Sequence, residues 1–194
     1  MRVTETRLPG VLLIEPDVHR DGRGFFVETY HIDRYRECGI AAPFVQDNHS
    51  RSIQGTLRGL HLQVQRPQGK LIHVIEGEIF DVAVDVRRGS PAFGRWVAVN
   101  LSADNFRQVY VPPGFAHGFC TLKPDTVINY KCTAYYSAEH DKGVAWDDPQ
   151  IGIEWPALAD PDTLSPKDRS QPRLADLPEY FRYEAQSGVS SPCA

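Results

Sequence analysis

The chain has 194 residues, 41% of them hydrophobic and 24% charged, values ordinary for a soluble globular protein. Lys and Arg number 21 against 25 Asp and Glu, a formal charge of -4 with no basic block, which argues against a nucleic-acid binder and leaves room only for a local anion pocket. No run approaches the roughly 20 apolar residues of a membrane helix, and MRVTETRLPG lacks the apolar core of a signal peptide, so a cytoplasmic protein is expected. Cys38, Cys120, Cys132 and Cys193 lie far apart without a CxxC pair and read as free thiols in a reducing compartment.

Helical periodicity is nearly absent. Short runs rich in Val, Ile, Phe and Tyr instead recur between Gly, Pro and Asp from residue 11 to about 133, the rhythm of an all-β barrel or sandwich. Strands are predicted at 11–15, 24–30, 44–50, 57–64, 70–75, 78–86, 95–101, 107–111, 117–122 and 126–133, enough to close a jelly roll. A short helix is predicted over 31–38. In the run 78–86, Phe80, Val82, Val84 and Val86 share one face, while Ile79, Asp81, Ala83 and Asp85 share the other, so one face packs and the other presents carboxylates. The Pro-rich stretch 156–178 reads as turns and short helices on the surface. Residues 1–184 form a single domain on this reading, with 185–194 a flexible tail.

Polar groups concentrate in FVQDNHSRSIQGTLRGLHLQVQRPQGK (44–70), which carries Gln46, Asp47, Asn48, His49, Arg51, Arg58, His61 and Lys70. So many unpaired polar groups inside a small barrel would cost several kcal/mol, which argues for a solvent-lined pocket, although strand alternation puts about half of them outside. In VPPGFAHGF (111–119) a Pro-Pro-Gly turn delivers His117 to a strand. In NYKCTAYY (129–136) Tyr130 shares a face with Ile128 and Cys132, whether as a core tyrosine or as a site residue. LSPKDRSQP (164–172) is a polar turn, on its own a surface loop, that could lay Asp168 or Lys167 across a barrel mouth. Strict alternation sets Arg58 and His61 on opposite faces, a conflict resolved either by a bulge at Gly59 or by Arg58 reaching in from the rim.

Jelly rolls with a PxGxxH turn include metal-binding cupins, which pair it with His-x-His and Glu. Here that place reads His61-Leu62-Gln63 with no Glu close behind, a poor metal set, so no metal is expected.

DGRGFFVETY (21–30), FVQDNHSRS (44–52), LRGLHLQ (57–63), QGKLIHVIEGEIFDVAVDVRRGSPAFGRW (68–96), VPPGFAHGF (111–119), YKCTAYYS (130–137) and LSPKD (164–168) resemble the dTDP-4-dehydrorhamnose 3,5-epimerase family, from about residue 3 to 183. The resemblance implies a cupin-like jelly-roll homodimer that, with no metal and no cofactor, inverts C3 and C5 of a dTDP-linked 4-keto-6-deoxysugar in dTDP-L-rhamnose biosynthesis. By the same resemblance His61 is the base, Asp168 its partner, Tyr130 the proton donor and Lys70 the cation beside the C4 oxygen. It also implies substrate contacts from Arg23, Glu28, Gln46, Asp47, Asn48, Arg58, His117, Asp141 and Lys167, and thymine stacking by Phe26 and Tyr136. Asp141 departs from the more common Glu, and the base at 167 varies. Enzymes that invert C3 alone or C5 alone, and a non-catalytic sugar-nucleotide binder, are the alternatives.

Overall fold

A computed structural model describes residues 1–184. The elements are β1 (Arg2–Glu5), β2 (Leu12–Glu15), β3 (Val18–Asp21), β4 (Gly24–Val27), α1 (Ile32–Glu37), β5 (Gln46–Ser52), β6 (Leu57–Gln63), β7 (Lys70–Glu76), β8 (Glu78–Asp85), β9 (Trp96–Ser102), β10 (Gln108–Val111), β11 (Phe115–Thr121), β12 (Thr126–Cys132), β13 (Asp141–Gly143) and α2 (Pro166–Arg169). All ten predicted strands are present, shifted by a few residues at their ends. The largest change is at 24–30, where the strand stops at Val27. Periodicity did not reveal β1, β3 and β13, which are three or four residues long, too short to show two full alternations.

Two antiparallel sheets face each other, in the orders β1-β2-β10-β7-β12-β5 and β13-β6-β11-β8-β9, and β3 and β4 form a separate hairpin. This is a cupin-like jelly roll. Between the sheets lies an apolar core that includes Ile72, Val74, Ile79, Leu101, Phe119 and Ile128. Burying each such side chain is worth roughly 1.5–3 kcal/mol.

Both outer faces are also covered. Helix α1 lays Tyr35 on Ile14, Leu71 and Tyr110, and Val144, Ile151, Leu174 and Leu177 cover Leu60, Leu62, Val82 and Val84. The stretch 156–178 does form short helical turns, but it is no mere surface strip, because Leu164, Asp168, Leu174 and Leu177 are all buried.

Strand β8 differs from its sequence reading in the same way. Both its faces are buried: Val82 and Val84 pack under the C-terminal segment, while Asp81 and Asp85 point into the barrel beside Ile79 and Ala83. Each carboxylate is satisfied there, Asp81 by His117 and Asp85 by Arg87 and Ser90. Cys120 and Cys132 are free thiols and buried, and Cys38 is buried. Cys193 and the predicted tail lie outside the described residues.

Candidate active site

The conflict between Arg58 and His61 is resolved at Gly59. His61 pairs with His117 and Arg58 with Phe119, so two residues of β6, Gly59 and Leu60, face the single Gly118. One extra residue restores phase, and Arg58 and His61 both turn inward. Only glycine fits at 59. Its φ is +110°, and an added Cβ would stand 2.6 Å from the His117 carbonyl oxygen and 2.7 Å from the Gly118 Cα.

His61 Nε2 meets Asp168 Oδ1 at 2.6 Å. Asp168 comes from α2, a single turn that starts at Pro166 and is capped by Ser165, whose Oγ accepts the Asp168 N–H at 3.1 Å. Asp168 is 4% exposed and His61 31%. Burial pushes the Asp168 carboxyl up, but its hydrogen bond and charge interaction with His61, helped by the Gly59 N–H and Ser165, outweigh that and hold it below its usual value. Asp168 is therefore a carboxylate and accepts, so that His61 Nε2 is the donor of the pair and Nδ1 is the ring nitrogen not engaged with Asp168.

The facing sheet supplies Lys70 and Tyr130. Lys70 lies opposite Cys132, and Tyr130 opposite Ile72 on one side and Asn48 on the other. Burial lowers the Lys70 ammonium from its usual value, with Cys132, Asp141 and Asp81 opposing and Lys167 adding to the shift. Burial, and then Cys132, raises the Tyr130 phenol, with Arg58 opposing, so the hydroxyl keeps its proton.

A cleft of about 280 Å³ opens at this end of the barrel, lined by Arg58, His61, Asp141, Lys167 and Asp168 among others. A groove of about 810 Å³ runs beside Arg7, Trp96 and Glu154 on the outer side of the sheet, and no candidate residue lines it.

Strand β5 sends Gln46 and Asn48 inward. The Gln46 amide donates to Asn48 Oδ1 at 2.9 Å and accepts the Tyr136 N–H at 2.8 Å, and Asn48 donates to Cys132 Sγ at 3.5 Å. Asp47 does not join them: it points to the other face and pairs with Lys131 at 2.9 Å, as period-two alternation requires. His117 is buried on Asp81 at 2.8 Å. Tyr136 stands exposed at the mouth, its hydroxyl donating to Asp141 at 3.1 Å, and Asp141 also forms a close ion pair with Lys167.

Arg23, Phe26 and Glu28 are not brought to the cleft by their own chain. Arg23 folds back on Asp21, Glu28 pairs with Arg34, and Phe26 is 69% exposed on the hairpin. Gln63, which stands where metal-binding relatives of the fold place a ligand, has another role. Its amide nitrogen donates to the Arg66 and Tyr135 carbonyls, and its oxygen accepts the Ser137 N–H, pinning the loop that carries Tyr136. Asp81 and Cys132 were not among the sequence-predicted site residues. The inward alternation of their strands was the available signal.

The sequence profile of dTDP-4-dehydrorhamnose 3,5-epimerase matches residues 5–176. A dTDP-4-dehydrorhamnose 3,5-epimerase of Methanothermobacter thermautotrophicus is 49% identical over 181 residues, 93% of this chain and 98% of that protein. The crystal structure of a dTDP-6-deoxy-D-glucose-3,5-epimerase from Legionella pneumophila in complex with dTDP-4-keto-L-rhamnose superposes with a TM-score of 0.90 at 47% identity, covering 95% of this chain and 99% of that one. A 3'-monoepimerase from Streptomyces bikiniensis in complex with dTDP-quinovose gives a TM-score of 0.83 at 34% identity, covering 88% and 87%. The fold and the sequence matches are those of a jelly-roll sugar-nucleotide epimerase. The chain belongs to the dTDP-4-dehydrorhamnose 3,5-epimerase family.

Proposed function

We propose that the chain inverts C3 and C5 of dTDP-4-keto-6-deoxy-D-glucose to give dTDP-4-dehydro-L-rhamnose, in dTDP-L-rhamnose biosynthesis. The carrying observation is the His61–Asp168 pair on one wall of a barrel whose facing wall holds Tyr130 and Lys70.

A ketone at C4 acidifies the hydrogens on both C3 and C5, because either deprotonation leaves its charge on the same oxygen. His61 Nδ1 takes the proton, and Asp168 stabilises the imidazolium that results. The C–H electron pair moves into the ring and the C4 oxygen becomes an enolate. Lys70 is the ammonium placed for that charge, an effect worth about 3 kcal/mol in comparable sites. Tyr130 then delivers its hydroxyl proton to the opposite face of the carbon, and the C4 carbonyl re-forms. The His61 imidazolium then releases its proton to solvent and the Tyr130 phenolate takes one from solvent, which resets both groups, and a second round at the other carbon completes the reaction.

Arg58 and Lys167 suit the diphosphate, with Gln46, Asn48 and His117 lining the sugar's surroundings and Tyr136 offering a face to thymine. Phe25 and Phe26, 57% and 69% exposed on a two-stranded hairpin, support a homodimer in which that hairpin crosses to a second copy, bringing Arg23, Phe26 and Glu28 to its cleft. Buried free thiols and the absence, among the described residues, of a helix long and apolar enough to cross a membrane accord with a cytoplasmic site of action.

Incubation with dTDP-4-keto-6-deoxyglucose in heavy water, followed by NMR, tests the reading. Deuterium at both C3 and C5 with inverted product supports it. Label at one carbon makes the chain a mono-epimerase, and label at neither overturns the assignment.

A further inference from the structure

The cleft around His61 holds two carboxylates with different attachments. Asp168 is committed to His61. Asp141, on the short edge strand β13, is 16% exposed and gives its Oδ2 to both the Tyr136 hydroxyl and the Lys167 ammonium, which is itself 42% exposed. Lys167 is the residue before Asp168 on the same single turn, so the ion pair ties the turn that supplies the base's partner to β13. Arg58 is differently placed, since its Nε donates to the Ser52 hydroxyl and no carboxylate pairs with it among the described residues.

An anion entering this cleft finds Arg58 without a carboxylate partner, but Lys167 already occupied. We propose that Asp141 is a stand-in anion: it holds Lys167 in the empty site and yields it to the diphosphate when substrate arrives, so that Asp141 weakens binding while keeping the turn in register. The inference rests on the functional reading above. A diphosphate carries more charge than one carboxylate and presents several acceptor oxygens, so it wins the exchange for a half-exposed ammonium. Asp141 remains anchored by the Tyr136 hydroxyl after the exchange, which leaves Tyr136 at the mouth instead of swinging free.

The exchange makes a sign prediction that separates it from direct contact. A carboxylate that hydrogen-bonds the ligand is missed when removed, whereas a carboxylate that competes for the ligand's cation is not. The test is calorimetric titration of dTDP and of thymidine into the wild-type chain and the variants Asp141→Asn, Asp141→Glu, Lys167→Met and Asp141→Asn/Lys167→Met. Wild type binds dTDP, and D141N binds it about 3–10-fold tighter, the size of a modest ion-pair competition. D141E keeps the wild-type affinity, which excludes a folding artefact. Thymidine, which has no phosphate, binds D141N and wild type alike. In the Lys167→Met background the gain from D141N disappears.

Weaker dTDP binding by D141N with D141E normal overturns the proposal. So does a gain of equal size without Lys167, which would be general repulsion. If wild type binds no dTDP at all, the functional reading fails with it, an outcome distinct from the other two. Should D141N fail to fold, the comparison of D141E with Lys167→Met decides: a drop in dTDP affinity in D141E comparable to that in Lys167→Met would mark Asp141 as a direct ligand contact and overturn the exchange.

Discussion

His61 lies directly opposite His117 in the β6–β11 register, and each imidazole gives its Nε2 to a carboxylate from a different element, Asp168 of α2 for the first and Asp81 of β8 for the second. The two pairs differ in access. His61 is 31% exposed at the cleft, whereas His117 is 10% exposed and its carboxylate 1%. His61 is thus the imidazole open to a ligand, in keeping with the base role proposed for it, while the His117–Asp81 pair is closed off in the wall beside it.

Replacing His61 by Asn should abolish both solvent deuterium exchange and turnover, because an amide is no base. Tyr130→Phe should behave differently. Exchange at C3 or C5 with retained configuration persists, since His61 returns a solvent-derived proton to the face it left, while inverted product falls by about 10²–10⁴-fold. Equal loss of exchange and inversion in a folded Tyr130→Phe protein would refute this division.

Gly59→Ala should be costly twice over. The left-handed φ alone costs about 1–3 kcal/mol for a residue with a side chain, and the added Cβ meets backbone that has no room to move. A melting temperature lower by roughly 4–8 °C is expected, with turnover lost disproportionately as Arg58 and His61 lose their common face. A variant that melts normally would mean that the bulge relaxes.

For Lys70 the proposed function comes at the expense of stability. Its folded-state value lies below the usual 10.5, so the unfolded chain holds that proton more tightly, and folding is favoured increasingly as pH climbs toward 10.5. Lys70→Met should therefore raise the melting temperature by a few degrees at neutral pH and remove that increment from the pH profile, while turnover drops by about 10²–10³-fold. The profile is read as a difference between the two proteins, because the Cys120 thiol, pushed up by burial to about 11, changes stability in the opposite sense over the same range.

Asp168 has the reverse sign. Its folded value is depressed below 3.8, so its contribution is complete above that value and is lost as pH falls through the lower folded one. Denaturant titrations between pH 2 and 5 should show a slope in the wild type that is shallower in Asp168→Asn. Parallel profiles would show that the carboxyl is not held ionised.

The exposed hairpin predicts an oligomer. Light scattering at micromolar concentration should give a dimer for the wild type and a lighter species for Phe26→Asp, with a raised KM as Phe26 of the partner subunit leaves the cleft. A fully active wild-type monomer would defeat this.

Much of the barrel was legible because period-two alternation is a strong signal in strands of seven or eight residues such as β8 and β12. What alternation misjudged was the meaning of the second face of β8. Charged residues at every second position read as a face that presents carboxylates and does not pack, yet Asp81 and Asp85 lie in the packed interior because His117, Arg87 and Ser90 satisfy them there. Asp47 was assigned by resemblance to a binding position, and its place on the outer face follows from the same alternation that sends Gln46 and Asn48 in. The bulge was left open, since Arg58 reaching in from the rim of a regular strand would have reconciled the two residues equally well. Asp141 and Lys167 met only through three-dimensional closure, 26 residues apart.

The base's partner arrives late. The long strands of both sheets are complete by Cys132, and among the described residues edge strand β13 alone follows them, but Asp168 lies 36 residues beyond Cys132, on a turn seated against β6. A chain emerging from the ribosome would close its barrel before its histidine is oriented, and a single cut between Val144 and Ser165 would leave strands and core paired while uncoupling the carboxylate from the imidazole. Catalysis thus reports on the docking of the C-terminal segment, and loss of activity during limited proteolysis should precede loss of β structure.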